Sequence, residues 1–102
     1  MSAAGLRQGA SGELLLSGVL DAVSGPALRE QGLALIKASP APALIVDCAG
    51  VEKSSSVGLA LLLAFMRDAQ ALGRTLSIRG LPEDMRQIAE VCQLLELLPL
   101  AE

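Results

Sequence analysis

The stretch ALIVDCAGVEKSSSVGLALLLAF, residues 43–65, decides the fold because it joins the two most apolar elements of the chain. Residues 43–48 form a nearly continuous apolar run with β-branched side chains, the pattern of a strand covered on both faces. From Val57 to Leu72 the apolar residues recur at a helical period. Three consecutive serines, residues 54–56, connect the two runs. The segment therefore predicts a buried strand, a hydroxyl-rich corner and a helix.

Upstream of this stretch, glycines and prolines separate further elements. The run ELLLSGVL, residues 13–20, predicts a strand, and QGASG would join it to an edge strand around Leu6 and Arg7. Ser24, followed by Gly-Pro, predicts a capped helix start, and this helix continues to about residue 38. The upstream order is therefore β-β-α.

Downstream, TLSIRG at residues 75–80 predicts another strand, and the residues after Pro82 predict a third helix. The apolar stripe of that helix consists of Met85, Ile88, Ala89, Cys92 and Leu95. The full order is β-β-α-β-α-β-α. Strands that alternate with helices predict an α/β fold: a mostly parallel, four-stranded sheet with an antiparallel edge strand and three helices, in one domain of residues 1–102.

The composition argues against several classes of function. The chain has 102 residues, a formal net charge of −3, no histidine and one aromatic residue, Phe65. Nucleic acid is not an expected partner, because binding phosphates needs a basic patch and reading single strands needs stacking aromatics. The amino-terminal segment lacks the apolar core of a signal peptide, and the longest apolar run, residues 59–66, is far shorter than the ~20 residues that span a bilayer. We therefore expect a cytoplasmic protein.

The two cysteines, Cys48 and Cys92, lie in apolar segments, which predicts that both are buried and reduced. Their spacing is not that of a metal site, and without histidine the chain has too few ligands for zinc. No metal and no cofactor are expected.

The serine corner is open to several interpretations. Partners and ligands often bind where the carboxyl ends of parallel strands meet helix N-termini. Helix capping needs only one hydroxyl, and three are present. A catalytic serine is not expected, because the chain has no histidine to act as base and Lys53 would have to lose its proton.

Two further interpretations concern phosphate. The segment GVEKSS only partly matches a nucleotide-binding P-loop, because Glu52 stands where a glycine should precede the lysine, and nucleotide binding is not predicted. Phosphorylation of a serine stays open. The positive end of the helix dipole would tolerate the added charge while the surface offered to a partner changed.

One side of the predicted helix at residues 57–72 is poor in charge. The sheet-facing side comprises Leu59, Leu62, Phe65, Met66 and Ala69. The outward side comprises Val57, Ala60, Ala64, Arg67 and Ala71, flanked by Leu61 and Leu63 as apolar anchors. A helix that is apolar all round is normally covered on both sides. We expect a partner protein there; the alternatives are residues 94–100 or a second copy of the chain. The predicted partner-binding residues are Ser54, Ser55, Ser56, Val57, Ala60, Leu61, Ala64 and Arg67.

The segments LLLSGVLD and LIVDCAGVEKSSSVGLALLL resemble the second strand and the central strand, loop and helix of STAS domains, the fold of anti-sigma factor antagonists. The resemblance covers nearly the whole chain. Aligned on Gly58, Ser56 matches the phosphoacceptor of the family's Asp-Ser-x-Gly motif, Ser55 replaces its aspartate, and Val57 takes the variable position. The segment GLALLL, with a glycine closing the helix, is similar to the STAS subunits of Mla phospholipid transporters.

The resemblance implies a non-enzymatic accessory subunit bound to the cytoplasmic ATPase of an ABC transporter that maintains outer-membrane lipid asymmetry. Such a subunit is peripheral to the inner membrane through its partner, and the residue that matches Ser56 lies at the ATPase contact. The alternative is an anti-sigma factor antagonist whose partner kinase phosphorylates Ser56. The replacement of the motif's aspartate by Ser55 departs from that switch pattern. A homodimer through the same helix is the third alternative.

Overall fold

The computed structural model describes residues 4–100, and its elements follow the predicted order. The strands are β1 (Gly5–Gln8), β2 (Leu14–Leu20), β3 (Ala43–Ser54) and β4 (Thr75–Arg79). The helices are α1 (Gly25–Ala38), α2 (Ser56–Ala71) and α3 (Glu83–Val91), followed by a 3-10 turn, η1 (Leu95–Leu97). The sheet has the order β1-β2-β3-β4, with β1 antiparallel to β2 and the other pairs parallel. The predicted α/β fold is confirmed. The predicted domain of residues 1–102 also includes residues 1–3 and 101–102, which lie outside the described residues.

The helices cover only one face of the sheet. Successive crossovers of the same hand between neighbouring parallel strands put their helices on the same side of the sheet. Accordingly, α1 packs against α2, and α3 packs against α2 as well. Leu44 and Val46 of β3 point into this layer and are buried, whereas Ile45 and Asp47 alternate with them and are half-exposed. The prediction that this strand is covered on both faces is therefore wrong. Its sequence is apolar enough to be covered on both faces, but no helix within residues 4–100 lies on the second face.

Strand β3 continues well beyond the predicted residues 43–48. Its second half pairs with the end of β2, where Gly18 faces Val51 and Leu20 faces Ser54. The pairing continues across two register irregularities, at each of which β3 has one more residue than β2. The extension was not predicted because most residues from Gly50 to Ser54 are polar or glycine and do not continue the apolar run. The longer strand brings the serine corner directly onto the end of β2.

The segment after α3 lies along the outer edge of β4. Leu98 is buried, the N–H of Ile78 donates to the carbonyl oxygen of Pro99 at 2.8 Å, and Leu100 forms a parallel bridge with Ile78. None of these residues lines the groove beside α2 that is described below. The alternative in which residues 94–100 cover the outward side of that helix is therefore excluded for this structure.

The two cysteines differ in exposure. Cys48 is fully buried, as predicted, but Cys92 is exposed. The prediction for Cys92 is wrong because α3 ends at Val91. Cys92 therefore no longer follows the helical period of the buried residues Met85 and Ala89. Within the described part of the chain, no helix is both long and apolar enough to cross a membrane.

Candidate functional site

The three serines of the corner have three different environments. Ser54, the last residue of β3, is 8% exposed, and its hydroxyl donates to the carbonyl oxygen of Ser55 at 2.7 Å. A Cβ at Gly58 would overlap this hydroxyl oxygen and would come within 3.2 Å of a Leu20 methyl group. Ser54 therefore packs beneath the start of α2. The longer β3 turns its side chain inward, and a contact between Ser54 and a partner stays a prediction.

Ser55 caps α2. It has an extended backbone, and its hydroxyl oxygen accepts a hydrogen bond from the N–H of Val57 at 3.2 Å. Its own N–H donates to the carbonyl oxygen of Leu20 at 3.0 Å, which joins the helix start to the end of β2. The residue that replaces the aspartate of the motif therefore satisfies one of the free N–H groups of the helix.

Ser56 is the first residue of α2 and is exposed. Its hydroxyl makes no hydrogen bond to any of residues 4–100, since Ser55 already provides the cap. The hydroxyl stands at the positive end of the helix dipole and is free both to donate and to accept. Of the three serines, this one is best placed to contact another molecule.

A shallow groove of about 370 Å³ lies between the N-terminal halves of α1 and α2, beside the serine corner. We call it the α1–α2 groove. Its lining consists of Ala22, Gly25, Pro26 and Arg29 on one side and Val57, Ala60, Leu61 and Ala64 on the other. The helices approach closely at Gly25, where a Cβ would lie 3.0 Å from a Val57 methyl group. The floor is apolar and the opening faces solvent.

Two of the predicted contact residues are more buried than expected. Leu61 is 5% exposed and Ala64 is 8% exposed, because α1 packs against this flank of α2. The expectation that Leu61 stands out as an anchor is therefore wrong; both side chains form the floor. Val57 is half-exposed and Ala60 is exposed at the rim.

Charged residues lie at the far end of the groove. Arg29 of α1 and Asp68 of α2 form a two-pronged ion pair, with Nε–Oδ2 at 3.2 Å and Nη2–Oδ1 at 3.0 Å. Arg67 lies one turn beyond Ala64, is exposed, and has no ion-pair partner among the described residues. The groove therefore ends beside an unpaired guanidinium.

The sequence interpretation missed the contribution of the turn between β2 and α1. Val23, in this turn, is 90% exposed. Asp21 Oδ1 accepts from the N–H groups of Val23 and Ser24, both at 3.0 Å, and these hydrogen bonds, with that of the Ser24 backbone first, lower the pKa of Asp21. The Ser24 hydroxyl donates to the carbonyl oxygen of Val19 at 3.0 Å and, contrary to prediction, does not cap α1. The available signal was a large apolar residue, Val23, in the short turn of residues 21–24.

Comparisons with known proteins agree with this architecture. The profile described as "Mlab, STAS domain" matches residues 6–99. A chain of the Acinetobacter MlaFEDB complex in an ATP-bound conformation is 32% identical, with a TM-score of 0.79, and the match covers 93% of this chain and 99% of that one. An anti-sigma factor antagonist from Mycobacterium paratuberculosis is 26% identical, with a TM-score of 0.75 and coverage of 96% and 83%. The unphosphorylated anti-sigma factor antagonist SpoIIAA is 18% identical, with a TM-score of 0.71 and coverage of 98% and 89%. No curated protein matches the sequence significantly.

Proposed function

Because this chain belongs to the STAS domain family, we propose that it is a non-enzymatic accessory subunit of a phospholipid ABC transporter. In this role it binds the cytoplasmic ATPase of the transporter and lies at the inner membrane only through that partner. An accessory or regulatory role is common to its relatives in the transporter complex and among the anti-sigma factor antagonists.

The observation that carries the transporter assignment is the match to the MlaFEDB chain. At 32% identity the match extends over 93% of this chain and 99% of the other, so the two have nearly the same length and no large insertion separates them. That relative is one component of an assembly of several subunits. A domain of the same fold and nearly the same length supports a role as a subunit of a similar complex.

The corner and groove support a docking role. The Ser56 hydroxyl is exposed and makes no hydrogen bond to residues 4–100, and the apolar α1–α2 groove begins at the next residue, Val57. An exposed hydroxyl beside an apolar groove offers a partner one directional contact and one buried contact. This is the usual combination at the centre of a protein–protein interface.

Affinity purification of the tagged protein from its own host in mild detergent tests the proposal. We expect an ABC ATPase, a permease and a lipid-binding subunit to co-purify in fixed ratio. Ser56→Ala should reduce recovery of the ATPase, whereas Ser11→Ala, which removes an exposed hydroxyl at the opposite end of the strands, should not. Recovery of a sigma-regulating kinase without any transporter subunit would overturn the assignment.

An anti-sigma factor antagonist switched by phosphorylation at Ser56 is the second candidate. The 26% identity to such an antagonist and the exposure of Ser56 favour it. The two functions predict different mutant patterns. A phosphorylation switch predicts that Ser56→Ala stays active and Ser56→Asp is inactive, whereas a contact hydroxyl predicts that both are impaired. A homodimer that covers the groove, detected by light scattering at low concentration, would contradict both.

A further inference from the structure

We propose that the partner element in the α1–α2 groove is an amphipathic helix that gives Arg67 a carboxylate and covers Val23 with an apolar side chain. This inference rests on the proposed function, because the helix belongs to the ATPase. The inference adds to the proposed function the chemistry of the partner segment and two contact residues, Arg67 and Val23, at opposite ends of the groove.

The dimensions and lining of the groove favour a helix. The α2 side runs from Val57 to Ala64, about 10 Å at the helical rise, which is the length of two turns. Five of the eight lining residues are glycine, alanine or proline. Small residues let the backbone of another helix approach closely. A helix satisfies its own backbone N–H and C=O groups, so it can lie on an apolar floor that offers no backbone partners.

Charge favours an acidic position at one end of that helix. The groove lining contains one charged residue, Arg29, and the carboxylate of Asp68 already holds it with both oxygens. Arg67, on the next turn of the same side of α2, adds a positive charge that no described acidic residue pairs with. Arg29, Asp68 and Arg67 together carry +1 (two positive charges and one negative), whereas the whole chain carries −3. A carboxylate is the group that such a position attracts.

Val23 provides the apolar contact at the other end. The turn that carries it is held by three backbone N–H groups, those of Asp21, Val23 and Ser24, each bonded to a side-chain oxygen within the turn. The valine is therefore both exposed and fixed in position. Its neighbour Ala22 lines the groove, so a helix seated there would reach it. Burying a pre-positioned valine costs little side-chain ordering and adds apolar area to the interface.

Binding of the full chain to the co-purifying ATPase is measured for two pairs of variants. Each pair compares a substitution at the proposed contact with the same substitution elsewhere on the surface, which controls for general effects of charge and hydrophobicity. Arg67→Glu should weaken binding about tenfold and flatten its dependence on salt, whereas Arg7→Glu, the same change on the open face of the sheet, should alter it less than about twofold. Val23→Asp should weaken binding about tenfold. Val91→Asp changes a valine that is 84% exposed on α3 and should have no such effect.

A zero-length cross-link identifies the partner group. With Arg67→Lys, carbodiimide should join position 67 to an aspartate or glutamate in a helical segment of the ATPase; Arg7→Lys should give no such product. Wild-type binding with equal effects of Arg67→Glu and Arg7→Glu overturns this inference and leaves the proposed function standing. A cross-link to a second copy of the chain also overturns the inference. Absence of wild-type binding to the ATPase overturns both.

Discussion

The ring of Phe65 in α2 lies against the backbone of Gly32 in α1, so closely that a Cβ at residue 32 would come within 2.6 Å of ring atom Cζ. Both residues are buried, and Phe65 is the largest fully buried side chain among the described residues. The absence of a side chain at residue 32 therefore sets the spacing of the two helices that form the groove. The sheet behind Phe65 leaves the ring little space to move away.

We expect Gly32→Ala to lower the free energy of unfolding by about 1–3 kcal/mol, because an overpacked core outweighs the better helix propensity of alanine. In a domain of this size, each kcal/mol lowers the melting temperature by roughly 4–8 °C. Thermal unfolding followed by circular dichroism measures the change. The control is Gln31→Ala, at the exposed neighbouring position, which should be neutral or slightly stabilising. A stable Gly32→Ala protein would contradict the close contact.

The serine corner predicts different effects for two adjacent substitutions. Ser55→Ala removes the hydroxyl that caps α2 and should cost about 1 kcal/mol of stability, measured by chemical denaturation. Ser56→Ala removes a hydroxyl that makes no hydrogen bond within residues 4–100, so stability should change by less than about 0.5 kcal/mol. Binding to the partner should show the reverse pattern, with Ser56→Ala the more damaging. Equal effects on stability would mean that Ser56 shares the capping role.

The end of α3 contains a strained residue. Gln93 has a φ of 58°, a left-handed conformation that glycine adopts more easily, and the N–H of Leu94 returns to the carbonyl of Ala89 at 2.8 Å as in a Schellman motif. We expect Gln93→Gly to stabilise the protein by up to about 1 kcal/mol. The same change within the helix, Gln87→Gly, should destabilise by about 1 kcal/mol, so that urea titration gives opposite signs for the pair.

The two thiols should differ sharply in reactivity. Burial, and secondarily the charge of Asp47, raises the pKa of Cys48 to about 12, while Cys92 is exposed. Since only the thiolate reacts, roughly one Cys48 in ten thousand would be reactive at pH 8 even if a reagent reached it. We expect a colorimetric thiol reagent to modify one cysteine rapidly in the native protein and two after denaturation. The Cys92→Ala variant should lose the rapid reaction, and two rapid thiols in the native protein would contradict the buried position.

The order of the elements could be predicted because each element has its own local signal. Glycines and prolines mark the boundaries, the run around Val46 gives a buried strand, and the periodicity after Val57 gives a helix. These signals depend on a few neighbouring residues. The structure confirms the elements that they predict, with changes at the ends of β3 and α2.

The sequence could not predict in the same way which element packs against each side of a helix or strand. A helical period shows which side of α2 is apolar, but not that α1 covers Leu61 and Ala64. Likewise, the apolar run of β3 does not show that the helices cover only one face of the sheet, so that alternate residues of the strand stay partly exposed. The contribution of Val23 was missed for the same reason, because a turn far away in sequence is brought beside the serine corner only by the parallel pairing of β2 and β3.

The hydrogen bond from Ile78 to Pro99 also bears on how the protein is made. The amino terminus of a chain leaves the ribosome first, so β4 emerges before residues 98–100, which cover its outer edge. During that interval the unpaired strand can join a strand of another nascent chain. Any change that loosens residues 98–100 would expose the same strand edge in the folded protein.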